Sequence, residues 1–231
     1  MIQQLCCGRQ NYDISPFGST EEIFCKKIIF SPQWMQFAKN VHLAYCEIAA
    51  NASKSDKIKA LNDFNIDETS KQSSISNALH IKYKLFTVGG LTYEKGLYSI
   101  LPKKELQTLF SDPIVIARLA SLEHERWIAY MYANGWLSVT PEEVFQYYDE
   151  QRSHKHSICK LHPCLIPYDK LDNLSKIMNT KYGIDSPKKY DFKKSDRDIV
   201  IKIPDIISDS WSVEDLSLLK EAMKINISEP S

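Results

Sequence analysis

Residues 112–136, DPIVIARLASLEHERWIAYMYANGW, decide the fold class. Asp112 before Pro113 is the chemistry of a helix start. A carboxylate accepts the unpaired N–H groups of the first turn, and proline at the first helical position has no N–H to lose. Beyond it, Ile116, Leu119, Ala120, Glu123, Trp127 and Tyr130 recur on or beside one face, and Asn134-Gly135 supplies the stop. The spacing predicts one long amphipathic helix.

Helical periodicity recurs on both sides of it. Phe37, Val41, Ala44, Tyr45 and Ile48 predict a helix over Gln33–Asn51 that stops in the polar stretch NASKSDK. Ile75, Ala78, Leu79, Tyr83 and Phe86 predict another over Ser74–Phe86, closed by Gly89-Gly90. LTYEKGLYSILPKKE reads as turn-rich, and Pro141–Asp149 as a short helix. Pro163 and Pro167 make QRSHKHSICKLHPCLIPYDKL loop and extended chain. Asp196–Ile207, bending or ending near Pro204, and Val213–Ile225 are the closing helices. The expected class is mainly α, with short extended segments.

Composition agrees with a helical chain. The 231 residues include only 7 glycines, too few for a fold built on glycine-rich phosphate loops or many tight hairpins. Hydrophobic residues make up 43% and charged residues 25%, which suits a globular chain with a sizeable core. The 29 basic and 29 acidic residues balance, which argues against a nucleic-acid partner held by bulk charge. No apolar run reaches the ~18 residues a spanning helix needs, and MIQQLCCGRQ lacks the pattern of a signal peptide. A cytoplasmic protein with no membrane partner is expected. The unevenly spaced cysteines 6, 7, 25, 46, 159 and 164 read as reduced thiols.

Two segments look alike. FAKNVHLAYCEI places Tyr45 three residues after His42, and ARLASLEHERWI places Trp127 three residues after His124. Each is followed by a second helix with an Ile-Lys core, ALHIKYKL in the first half and IVIKIPDI in the second.

LEHERWIAYMYANGW, then KLHPCLIPYDKL, then DFKKSDRDIVIKIPDII resembles the ryanodine-receptor repeat, the RyR domain, in its bacterial form. The resemblance rests on His124 and Trp127, on His162-Pro163 running into Leu165, Pro167 and Tyr168, and on Asp196-Arg197-Asp198 opening a helix that reaches Ile203-Pro204. It covers roughly residues 112–210; the region from His42 to Gly89 is similar to a degenerate first repeat. It departs from the family pattern in two insertions, LSVTPEEVFQYYDEQRSHKHSICKL and NLSKIMNTKYGIDSP. The resemblance implies a degenerate repeat over 33–110 and an RyR domain over 111–210; an arm over 1–32 and a C-terminal helix over 211–231, read from the residues, complete the expected organisation. In the animal channels, paired repeats face each other about a pseudo-twofold and form a cleft that holds an adenine nucleotide. Bacterial members sit beside nucleotide-signalling and defence proteins. The function implied by the resemblance is that of a sensor for an adenine-nucleotide-derived small molecule (ATP, ADP-ribose or a cyclic relative). Its expected context is signalling or anti-phage defence, with a homodimer or an effector protein as protein partner.

The expected ligand residues are His42, Tyr45, Glu123, His124, Arg126, Trp127, His162, Tyr168 and Arg197. An indole stacks a purine, an imidazole donates to a ring nitrogen or phosphate, and a guanidinium fork matches phosphate. Tyr45 and Trp127 serve equally well as core aromatics at helical spacing. Arg126 can instead pair with Glu123 or Glu125, Arg197 suits a salt bridge at a helix start, and Tyr168-Asp169 suits a turn. The cluster of His154, His156, Cys159, His162 and Cys164 lacks paired CxxC spacing, so no metal or other cofactor is expected. The rival functions are an enzyme that cleaves or modifies a nucleotide with Glu123 and His124, and an interaction adaptor without a pocket. No nucleophile motif or phosphate loop supports the first.

Overall fold

The computed structural model describes residues 32–46, 53–94, 97–140, 142–143, 159–182 and 190–210. The predicted helix Val213–Ile225, most of the predicted arm and most of Pro141–Asp149 lie outside these residues. The described part is mainly α. Helix α1 spans Pro32–Tyr45. α2 (Lys54–Ile66) and α3 (Glu68–Thr87) follow. Strands β1 (Leu91–Glu94) and β2 (Leu97–Ile100) form a hairpin with Leu91 opposite Ile100. Then come α4 (Lys103–Leu109) and α5 (Pro113–Ala133). β3 (Leu137–Ser138) runs parallel to β4 (Leu161–His162). A 3-10 turn over Tyr168–Lys170 leads into α6 (Leu171–Tyr182), and α7 (Lys194–Ile201) and α8 (Ile203–Ser210) end the described chain.

Local chemistry sets the boundaries. The Asp112 carboxylate accepts the Ile114 N–H at 2.8 Å, as its place before Pro113 predicts. Gly135 closes α5 at φ +78° and Gly89 follows α3 at φ +73°, backbone that side chains other than glycine rarely adopt. The helix of the second half breaks at Lys202 because Pro204 has no N–H with which to continue the ladder.

Three helices depart from expectation. α2 lies where the first helix was expected to tail into polar loop; Ser53 caps it by accepting the Asp56 N–H at 3.2 Å. α4 occupies the end of the stretch read as turns. α6 begins at the end of the stretch read as loop and runs into the segment read as an insertion, and its Leu171, Leu174 and Met178 form a small core with Cys164.

α1 packs most extensively on α3, and α5 packs on α7 and α3. In each half, therefore, the helix bearing the His-x-x-aromatic pair lies on the helix bearing the Ile-Lys core. The two halves share one principal core, in which Phe37, Val41, Ile81 and Leu85 meet Leu119, Ile199, Val200 and Ile203. No helix among the described residues is long and apolar enough to cross a membrane.

Candidate functional site

Two polar constellations flank α5, one against α3 and one against the loop after β4. The first centres on Glu123, whose side chain is 0% exposed. Arg126, one turn on, grips it with both edges of its fork: Nη2 donates to Oε1 at 2.7 Å and Nε to Oε2 at 3.0 Å. Lys84 of α3, itself 0% exposed, reaches Oε2 at 2.7 Å. The Tyr45 hydroxyl of α1 donates to Oε1 at 2.8 Å, and Asn77 Nδ2 donates to the same oxygen at 2.9 Å. Lys84 also donates to Asn77 Oδ1 at 3.2 Å, and Arg126 Nη1 donates to Ser76 Oγ at 3.0 Å.

The protonation states are set by these contacts. Burial alone would raise the Glu123 carboxyl, but the attraction of Lys84 and Arg126 outweighs it and holds the group at about 2. Burial lowers Lys84 despite the pull of Glu123, and Arg126, its charge favoured by Glu123, is raised. Burial and the neighbouring carboxylate raise Tyr45, which stays a neutral donor. His80, on α3 one turn before Lys84, is lowered to about 4 by burial and then by the Lys84 charge. Its Nδ1 is buried and has no hydrogen-bond partner among the described residues.

The second constellation gathers rings. His124 stacks on Trp127 at 5.6 Å and lies 5.7 Å from Tyr168. Trp127 meets His162 edge to face at 4.9 Å, and Trp136 also packs edge to face with His162 at 6.1 Å. The His162 ring is fixed by the Cys164 N–H, which donates to Nδ1 at 3.1 Å. His124 Nδ1 lies 3.0 Å from Asp196 Oδ2, and Nε2 lies 2.9 Å from the Ile166 carbonyl oxygen. A carbonyl only accepts, so Nε2 carries a proton, and the contact with the carboxylate needs a second one. The His124–Asp196 pair is therefore neutral as a whole, with one proton more than a neutral imidazole and a free carboxylate. Burial raises the Asp196 carboxyl, and the hydrogen bond from His124 offsets part of that rise.

The structure thus brings Tyr45, Glu123 and Arg126 together in one cluster and His124, Trp127, His162 and Tyr168 in another. His42 joins neither. Its Nε2 donates to the Ala60 carbonyl at 3.1 Å and its ring meets the edge of Phe64, so it docks α1 on α2. The predicted wall of His42 and Tyr45 is split between two faces of α1. Arg197 pairs with Asp191 at 2.5 Å, the salt bridge its place at a helix start suggested. Lys84, Asn77, Ser76, His80 and Asp196 were not among the expected site residues. A lysine within an amphipathic helix reads as solvated, and nothing in local spacing shows that Lys84 opposes Glu123 39 positions later.

Cys164 is buried and its thiol raised by that burial, while Cys159 is exposed. His154 and His156 lie outside the described residues, among which no group of three His, Cys, Asp or Glu is placed to hold a metal ion. Compared with known proteins, the chain matches no family model, no curated protein and no solved structure.

Proposed function

We propose that this chain is a small-molecule sensor for an adenine-nucleotide-derived ligand whose base stacks at the ring cluster of the second RyR-like half, serving bacterial signalling or anti-phage defence through a homodimer or an effector protein. The observation that carries this reading is the ring cluster at Trp127. The indole is only half-buried, although the His124 ring of α5 and the His162 ring of β4 pack on it, so part of a large aromatic surface stays at the protein boundary. Stacking a base on such a ring is worth ~1–3 kcal/mol. The enzymatic alternative draws less support. Glu123 is buried and held ionised by five contacts, and both nitrogens of His124 are engaged, so neither is placed to move a proton on a bound substrate.

The test is a thermal-shift and calorimetric series with ATP, ADP-ribose and cyclic adenine nucleotides, followed by mass spectrometry of the recovered ligand. One of these should stabilise the protein by ~2.7 kcal/mol at a hundred times its dissociation constant. Trp127→Phe should weaken it several-fold, and the ligand should return intact. A converted ligand would establish the enzyme instead, and no stabilisation by any member at millimolar concentration would sink the reading.

A further inference from the structure

The seam between α3 and α5 is unbalanced in charge. Lys84 and Arg126 bring two positive charges to one carboxylate, Glu123. Asp196 does not make up the difference, because the proton it shares with His124 leaves that pair neutral. His80, lowered to about 4, is neutral at pH 7. One unit of positive charge remains in surroundings that exclude water, where an unpaired charge is costly. The C-terminal end of α3, where Lys84 lies, offsets only part of it. Its last carbonyls are already engaged: Leu85 accepts from Val88 and Gly90, and Phe86 accepts from Gly89.

Beside the surplus charge lies an unsatisfied group. Nδ1 of His80 is buried and has no partner among the described residues. Ser76, one turn earlier on α3, is half-buried like His80, and its hydroxyl faces the Arg126 guanidinium. Surplus cation, orphaned imidazole nitrogen and half-exposed hydroxyl thus lie within two turns of one helix.

We infer that the α3–α5 seam is an anion subsite: a phosphate group docks at its rim against Ser76, His80 and Arg126 and supplies the negative charge that the Glu123 cluster lacks. The phosphate is recognised by a hydrogen bond from the Ser76 hydroxyl, by the charge that His80 gains when an anion stands beside it, and by the field of Lys84 and Arg126. The inference rests on the proposed reading for the identity of the anion, as the phosphate end of the same ligand. The chemistry itself is shared by a nucleotide and free inorganic phosphate.

The test uses the whole chain with inorganic phosphate, adenosine and ADP as probes at constant ionic strength, chloride being the background anion. His80 is followed by NMR, and affinity is followed by calorimetry. Phosphate should move the His80 titration from about 4 toward the ordinary histidine range, since an anion beside it favours the imidazolium. Lys84→Met removes the surplus charge but leaves Glu123 gripped by Arg126, Tyr45 and Asn77. It should fold and lose at least tenfold in phosphate affinity. His80→Asn is the second variant should Lys84→Met not fold, with a several-fold loss expected. Phosphate binding that leaves His80 unmoved, undiminished affinity in these variants, or no phosphate binding at all would overturn the subsite. Adenosine binding with His80 unmoved, and ADP binding no tighter, would keep the proposed function and reject the subsite. Phosphate binding that moves His80, with no gain from adenosine, would keep the subsite and reject the adenine reading.

Discussion

At the scale of single residues, Glu123 governs the centre of the molecule because it is the carboxylate that faces both Lys84 and Arg126. Removing its charge leaves two buried cations without their counter-ion, a loss of ~3–5 kcal/mol for breaking a buried pair from one side. Glu123→Gln keeps the shape and should cost about that much in chemical denaturation. It should also change the acid response. The folded carboxyl sits at about 2 against an ordinary 4.5, so its contribution is fully present above 4.5 and is lost as pH falls toward 2. That separation corresponds to ~3 kcal/mol at 1.36 kcal/mol per unit. Melting temperature in the parent should therefore drop steeply between pH 4.5 and 2, and in Glu123→Gln the slope over that interval should flatten. Equal slopes would mean that Glu123 is not the ionised centre of the cluster. Part of this was legible in the sequence, where Arg126 three residues after Glu123 reads as an ion pair. The partner Lys84 was not, since burial of a lysine is decided by what packs on the opposite helix.

At the scale of elements, Asp67 joins two helices with one residue. Its N–H donates to the Asp63 carbonyl at 2.9 Å and closes α2, while its carboxylate accepts the N–H groups of Thr69 and Ser70 at 3.0 and 3.2 Å and opens α3. Asp67→Ala removes the second function and should destabilise by ~1 kcal/mol, within the ordinary range for helix caps. The urea midpoint should fall with an unchanged slope, and a change in slope would point to loss of α2 as a unit. Caps also explain which elements the sequence disclosed. α5 carries its start at Asp112-Pro113, its stop at Asn134-Gly135 and a continuous apolar face between them, so three independent signals agree. α2 buries only Ala60 and Phe64, which leaves too thin an apolar stripe to register as a period. α6 packs on a small satellite core with Cys164, Tyr168 and Trp127, and its helicity depends on tertiary partners that no window of sequence contains. The break at Pro204 was readable because it stems from covalent structure alone.

At the scale of the molecule, the two similar halves do not own separate cores. Phe37, Val41, Ile81 and Leu85 from the first half pack in one cluster with Leu119, Ile199, Val200 and Ile203 from the second. Lys202 ties the second half to the first again by donating to the Ala44 carbonyl at 2.8 Å. A repeat read from sequence suggests two units that fold alone and then dock, whereas a shared core means that neither half can bury its apolar face without the other. The charged seam sharpens the contrast, because separating the halves would part Glu123 from Lys84, Asn77 and Tyr45 at once. Leu119→Ala tests this dependence. Leu119 is 0% exposed within the cluster, and its truncation should cost ~2–5 kcal/mol, through lost transfer energy and the cavity left behind. If the halves unfold as one, native-state hydrogen exchange should show the slowest amides of α1 and α3 losing the same free energy of opening as those of α5 and α7, although the substitution lies in α5. If the slowest amides of α1 and α3 keep their parental protection while those of α5 and α7 lose theirs, the halves are separate cooperative units. The seam would then be a docking surface between two units, able to open while each half stays folded.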